Sequence, residues 1–442
     1  MPPGPKGLPF VGVALELRRD PLALLRRVAR EYGDIVSIPV PLGTRILLNG
    51  PALIEQLLVV QQAKFHKSTL TKAVTERMLG QGLLISEGEF WRRQRRLAQP
   101  AFHRSRINEY GAAMTEIAAA HIGGWRDGQV CDVAHEMMAL TLDVAVRTLF
   151  GTALPGEAQQ VGRAVTFLMR HQLGRMRAPL RIPASWPTPR NRRAEREFAL
   201  LDSMVYRIIA ERRDKGRVNH GGDLLSMLMG AMDEDGSQMT PKQLRDETMT
   251  LFLAGHETTA QTLGWAWYLL SENPAAETRL HEELRGVLGG RAPEAADLAR
   301  LPYLQAVVSE TLRLYPPAYI LARTSIAPCH IGGYDIPTGT TVLMSQWVTH
   351  RDARYFDDAD AFRPERWLGG LAERLPAGVY LPFGDGPRRC IGQGFALLEA
   401  ALVIATVAQR FRLRLVTGHR VAPEPLVTLR PKYGIRMTLH AL

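Results

Sequence analysis

Cysteine is scarce in this chain: three residues in 442, at 131, 329 and 390. That is too few for a disulfide framework and points to a reducing compartment, with the cytoplasm as the expected location. No run of about eighteen apolar residues occurs, so no transmembrane span is expected. The longest candidate, 395–407, is interrupted by Glu399. The opening residues, Met1-Pro2-Pro3-Gly4-Pro5-Lys6, lack the apolar core of a secretion signal. Internal repeats and low-complexity blocks are missing as well. The formal net charge is +11, but the basic residues are dispersed and no nucleic-acid-binding motif accompanies them, so nucleic acid is not an expected partner. The remaining composition, 46% hydrophobic and 22% charged, is that of an ordinary globular protein.

Cys390 stands apart from the other two cysteines. It closes the segment Phe383-Gly384-Asp385-Gly386-Pro387-Arg388-Arg389-Cys390-Ile391-Gly392. A lone thiol is ordinarily a small buried hydrophobe, which suits Cys131 and Cys329. A Gly-Arg loop is a poor burial place for such a residue. It is a good place for a thiolate, the form that binds metal, because backbone N–H groups and the start of a following helix favour anions. Gly386 and Gly392 are expected to let the chain turn tightly and approach a flat ligand. Phe383 can pack on that ligand, and Arg388 or Arg389 can pair with its carboxylates.

A second motif, Ala254-Gly255-His256-Glu257-Thr258-Thr259, lies in a helical pattern over 241–271. Positions 254, 257 and 258 are three and four apart and share one face. A small residue, an acid and an alcohol thus line one wall. Gly255 and the threonines are expected to loosen the helix ladder for a water, and a carboxylate beside a hydroxyl suits a proton relay. A zinc reading of His256-Glu257 fails, because the second His four residues after the first is missing; position 260 is Ala. Two further spacings complete the set. Glu310 and Arg313 are three apart, and Phe362-Arg363-Pro364-Glu365-Arg366 follows downstream. Trp91 and Arg95 are four apart in a helical segment.

These four motifs, in this order, resemble those of the cytochrome P450 superfamily, and the resemblance runs over essentially the whole chain. It implies haem b as cofactor, with Cys390 as the axial thiolate ligand of the iron, and with Phe383 and Gly392 belonging to the haem-binding signature. It implies that Thr258 is the oxygen-activating alcohol, Glu257 the acid, and Ala254 the small residue beside the cofactor. Trp91, Arg95, Arg323 and Arg388 would hold the haem propionates. Glu310, Arg313 and Arg366 would form a buried ionic cluster that positions the haem loop. The chain begins at a Pro-rich segment, as a soluble prokaryotic member or a chain with its N-terminal segment removed would. The motifs assigned to one haem span residues 91 to 392, so one mainly α unit with a minor β region, covering 1–442, is expected despite the length.

Along the chain, helices are expected over 21–32, 51–62, 89–102, 108–122, 131–150, 157–176, 190–216, 221–233, 274–288 and 304–314. A small hairpin is expected at 35–40 and 45–48, and a strand at 340–348. Residues 68–87 read as an irregular or weakly helical loop, and 179–189 as a lid. By family position the substrate pocket would draw on Leu70, Val74, Leu83, Leu84, Phe252, Ala318, Tyr319, Ile320, Leu321, Val427 and Thr428. These are mainly apolar, which implies a fatty acid, terpenoid, steroid or carotenoid. The implied activity is a monooxygenase that hydroxylates such a molecule with dioxygen. No flavin or Fe–S module is appended, so electrons would come from an acidic ferredoxin or flavodoxin with its reductase. Arg92, Arg93, Arg96 and Arg389 would form the docking patch. A peroxide-driven hydroxylase of the same fold, or a haem-based sensor or electron carrier, are the alternatives; neither has need of the Glu257-Thr258 pair.

Overall fold

The computed structural model describes residues 1–41, 43–152, 158–177, 183, 185–214, 223–232, 236 and 238–442. The chain divides into two compact units, each assembled from separated segments. One comprises Met1–Ala73, Ser309–Cys390 and Val427–Arg430; the other comprises Val74–Val308, Ile391–Leu426 and Pro431–Leu442.

The first unit is built on a five-stranded sheet. Its strand order is Ile35–Val40, Gly43–Leu48, Thr341–Met344, Leu321–Ser325, Phe65–Lys67. The first two strands form the expected antiparallel hairpin, with Ile35 opposite Leu48. Alternation puts Ile46, Leu48, Val342 and Met344 into one apolar cluster and Val36, Ile38, Leu47 and Leu343 into another, so the sheet is covered on both sides. The strand expected at 340–348 stops at Met344, and Gln346–Thr349 continues as a helical turn. The helix expected at 51–62 is α-helical only over Pro51–Glu55; Gln56–Val60 widens into a π-helical turn. Such turns are rare and concentrate at functional sites.

The second unit is almost all helix. Its axis is Pro241–Glu272, 32 residues long and so about 48 Å. Its start is written in the sequence. Thr240 accepts the Gln243 N–H at 3.2 Å, Gln243 Oε1 accepts the Thr240 N–H at 2.7 Å, and Pro241 occupies the first turn. Pro274 follows its end, at the start of the next helix. Helix Val133–Phe150 packs along it, and Thr141 Oγ1 donates to the His256 carbonyl at 3.0 Å. The helix expected at 131–150 begins two residues late, because Val130–Asp132 forms an antiparallel strand with Arg436–Ala441. Asp132 then caps the helix by accepting the Ala134 N–H at 3.1 Å.

Residues 68–87, expected to be irregular or weakly helical, contain a helix, Thr69–Leu79. The expected helix 157–176 is described as Ala158–Arg177, 190–216 as Pro189–Asp214, and 221–233 as Leu224–Gly230. Of the expected lid, 179–182 and 184 lie outside the described residues. Among the described residues, no helix is long and apolar enough to cross a membrane.

Candidate active site

In the first unit, the loop that carries Cys390 is positioned by a chain of buried polar contacts. Glu310 and Arg313, on helix Pro302–Leu314, are both fully buried, and their side chains pair bidentately through two 2.8 Å bonds. Arg366 joins them by donating from Nε to Glu310 Oε1 at 3.0 Å. The Arg363 N–H and the Trp367 indole N–H donate to the same carboxylate at 2.9 and 2.8 Å. Every lone-pair direction of Glu310 is therefore used, which is the condition for a tolerable buried charge.

Arg313 also donates to the carbonyls of His350, Ala359 and Ala361 at 2.8, 2.6 and 2.9 Å. The His350 ring in turn accepts the Leu381 N–H at 3.0 Å. Burial, followed by the cations Arg313 and Arg351, pushes the His350 imidazole down to about 3. It is neutral at pH 7 and able to accept that bond. Sequence reasoning missed His350; the signal available was its place between the Glu310 helix and the Cys390 loop.

Beyond Leu381 the chain tightens. Gly384 and Gly386 both have positive φ, +70° and +67°, a backbone that favours glycine. A Cβ on Gly386 would lie 2.1 Å from the Leu58 carbonyl oxygen, so the loop rests directly on the π-helical turn Gln56–Val60. Gly392 is different: its φ is −87° and a Cβ there would make only ordinary contact, so the expected tight turn belongs to Gly384 and Gly386. The Cys390 N–H donates to the Phe383 carbonyl at 2.9 Å, closing the loop. Cys390 is exposed, Arg388 and Phe383 are half-buried, and Arg323 is buried in strand Leu321–Ser325.

The other two thiols are placed otherwise. Cys329 sits in strand Cys329–Ile331 within the apolar cluster of Ile331, Ile336 and Leu381, and burial pushes its thiol up. Cys131 is pushed up to about 12, first by burial and then by Glu136 and Asp132. Neither is suited to ionise. Among the described residues no group of three or more His, Cys, Asp or Glu is placed to hold a bare metal ion. An iron that brings its own porphyrin nitrogens needs only one thiolate, and Cys390 fits that need.

In the second unit, the burial of the long helix breaks in its middle. Ala254 is exposed and Gly255 and Thr258 are half-buried, while His256, Glu257 and Thr259 are buried. An accessible strip lined by a methyl group and a hydroxyl suits one edge of a flat cofactor. The helix remains continuous here. Thr258 Oγ1 donates to the Ala254 carbonyl at 2.7 Å and Thr259 Oγ1 to the Gly255 carbonyl at 3.0 Å. Both hydroxyls thus bond the carbonyl four residues back, the contact that mildly weakens and bends a helix.

Behind this turn lies a group that sequence reasoning passed over. Glu399, on helix Gln393–Ala408, is fully buried, and burial holds its carboxyl far above the usual range, opposed by a hydrogen bond with Thr259. The clue was visible: it is the lone acid in an otherwise apolar helix. On helix Gly88–Ala98, Trp91 is buried and the Arg95 guanidinium stands 5.8 Å from its ring, so the two share a face. Arg92 pairs with Glu89. Arg96 is exposed and Arg93 only half so.

The apolar candidates separate. Val74 and Leu83 are buried, and Leu84 is 40% exposed. Phe252 is fully buried between the rings of Phe150 and His256, a core position. Tyr319 is buried with Leu22, Trp347 and Leu429, and Ile320 packs beside them. Ala318, Leu321 and Val427 are half-buried and Thr428 buried. The Leu70 side chain lies outside the described residues.

Comparison with known proteins agrees with this chemistry. A family model described as cytochrome P450 matches residues 2–438. Cyclooctatin synthase of Streptomyces melanosporofaciens is 39% identical over 427 residues, covering 96% of this chain and 92% of that protein. Cyclooctat-9-en-7-ol 5-monooxygenase of the same organism is 38% identical, covering 94% of this chain and 90% of that protein. Pentalenene oxygenase of Streptomyces avermitilis is 33% identical, with 99% and 96% covered. The chain belongs to the cytochrome P450 family. It is a haem-thiolate monooxygenase that hydroxylates a lipophilic small molecule with dioxygen and electrons from redox partners.

Proposed function

We propose that this enzyme hydroxylates a terpenoid, with Cys390 as the iron ligand and Thr258 and Glu257 as its proton-handling pair. The single observation that carries the ligand assignment is the contrast among three thiols. Cys390 is exposed in a glycine-turned loop, whereas Cys131 and Cys329 are held protonated by burial. The terpenoid reading rests on the similar proteins, whose names describe oxidation of pentalenene and of a cyclooctatenol, and on the apolar character of Val74, Leu83 and Leu84. Because the family match crosses both units, residues 1–442 act as one cytochrome P450 domain.

Haem, held by the Cys390 thiolate, would supply the oxidising chemistry. The protein's own residues do the rest. Glu310, Arg313 and Arg366 fix the segment through His350 to Leu381, and Gly384 and Gly386 turn the chain so that the Cys390 Sγ is presented. Trp91, Arg95, Arg323 and Arg388 would hold the haem propionates. Thr258 holds its hydroxyl proton on the Ala254 carbonyl and is the group from which a proton is passed on, with Glu257 as the acid behind it. The electron donor is an acidic ferredoxin or flavodoxin steered by exposed Arg92, Arg96 and Arg389, and the enzyme works in the cytoplasm.

The test is turnover of a panel of cyclic sesquiterpenes and diterpenes with a surrogate ferredoxin and its reductase. Hydroxylated products that need reductant and dioxygen are expected. Products formed with peroxide alone, at the same rate, would contradict the proposed electron route.

A further inference from the structure

Eleven residues before Thr258, the long helix carries a second acidic turn that the reaction does not use. Asp246 and Glu247 are both buried. Asp246 is fully engaged: it accepts the Gln81 N–H at 3.0 Å, Lys242 Nζ at 2.9 Å and Arg245 Nη1 at 3.1 Å. Arg245 also holds Asp202 and donates to the Met78 carbonyl at 2.9 Å. Glu247 has far less. Its Oε2 accepts the Leu83 N–H at 3.0 Å, while Oε1 is buried with no hydrogen-bond partner among the described residues. The Thr250 hydroxyl, one turn on, is in the same condition. Glu310, by contrast, takes five donors on its carboxylate. An orphaned carboxyl oxygen costs free energy unless something else satisfies it.

The location says what that something is. At 100° per residue, positions 247, 254 and 258 fall within about 20° of one line on the helix. Glu247 therefore shares the stripe of Ala254 and Thr258, the accessible strip of the reaction turn, about 10 Å away along the axis. The segment 80–86 packs along the edge of this stripe, against Asp246 and Thr250, and reaches Glu247 through the Leu83 N–H. A Cβ on Gly80 would meet the Asp246 carboxylate at 2.1 Å and one on Gly82 the Thr250 hydroxyl at 1.9 Å. That segment carries Leu83 and Leu84.

We propose that Glu247 is a polar anchor for substrate: its Oε1 takes a hydroxyl or carbonyl oxygen on an otherwise apolar skeleton, two helical turns from the carbon to be oxidised. The natural substrate is then a hydrocarbon framework that an earlier reaction has already oxygenated. The anchor rests on the lipophilic-substrate reading above and narrows it. Burial, opposed by the Leu83 N–H and reinforced by Asp246, pushes the Glu247 carboxyl up to about 8. It keeps its proton at neutral pH, so it can donate to a ketone as well as exchange bonds with an alcohol. The charged neighbours on this side are Asp246, Arg245 and Lys242 on its own helix and Asp202, with Arg77 beside it, from the packed helices.

The test is a titration of the holoenzyme with matched pairs, cedrene against cedrol and valencene against nootkatone, read by the substrate-induced shift of haem absorption. The oxygenated member of each pair is expected to bind about tenfold more tightly. Glu247→Leu should abolish that preference and leave hydrocarbon affinity in place; Glu247→Gln, which keeps both the Leu83 contact and a polar end, should retain most of it. Should Glu247→Leu fail to take up haem, pH decides. The nootkatone preference should fall as pH rises through about 8 in the parent and stay flat in Glu247→Gln. A parent that binds both members equally, or variants that weaken both members alike, overturns the anchor. A parent whose spectrum responds to neither member of either pair overturns the lipophilic-substrate reading beneath it.

Discussion

The imidazole of His350 accepts the Leu381 N–H at 3.0 Å, and that bond is the step by which a buried ion pair reaches the cysteine loop. On one side, Arg313 holds the His350 carbonyl at 2.8 Å. On the other, the Gly384 N–H donates to the Leu381 carbonyl at 3.0 Å and the Cys390 N–H to the Phe383 carbonyl at 2.9 Å. The bond exists only while the ring is neutral, because a protonated imidazole has no acceptor.

Acid should therefore unlock the loop. His350 titrates near 3 in the folded chain and near 6.5 when unfolded. Its depressed value contributes stability that is present above about 6.5. That stability is lost, at up to about 1.4 kcal/mol per pH unit, as pH falls from there toward 3. Unfolding free energies from pH 7 to pH 4.5 should show this slope, and His350→Phe should flatten it. A slope unchanged in the variant would remove His350 from the linkage.

Arg313→Ala should destabilise the protein by about 3–5 kcal/mol, since it leaves Glu310 as an uncompensated buried charge. Denaturant titration of the holo-protein measures this. Removing both partners, with Glu310→Leu and Arg313→Leu together, should cost less than the single change. A single variant with parental stability would show that the cluster contributes nothing.

Thr258→Ala should keep haem and fold but divert reducing equivalents to peroxide, because the hydroxyl that holds a proton beside Ala254 is gone while iron ligation is untouched. Product formed per electron consumed is the measure, with parental coupling as the contrary result. Reversing Arg92 and Arg96 to Glu should slow reduction by the ferredoxin and flatten its salt dependence, the Debye length being about 10 Å at 0.1 M. Substrate affinity should stay the same. Reduction of the parent that shows no ionic-strength dependence would contradict steering.

The four motifs were legible because each binds chemistry to a short spacing: Cys390 to its glycines, Glu257 to Thr258, Glu310 to Arg313, Trp91 to Arg95. The helices were legible where the sequence supplies caps, as Thr240, Gln243 and Pro241 do for the long one. What was not legible came from partners distant in sequence. Val130–Asp132 pairs as a strand only because Arg436–Ala441 returns beside it. Gln56–Val60 widens into a π-turn against the Gly386 loop, and no periodicity records that. His350, Glu399 and Glu247 look like ordinary polar residues until burial singles them out.

The assignment of the iron ligand is tested most directly by the ferrous–carbon monoxide spectrum of the parent protein beside Cys390→Ser, Cys329→Ser and Cys131→Ser. The parent and the Cys329 and Cys131 variants are expected to give the red-shifted band of thiolate-ligated haem, and Cys390→Ser to lose it. A Cys390→Ser protein that keeps the band unchanged, or its loss in Cys329→Ser alone, would contradict the assignment.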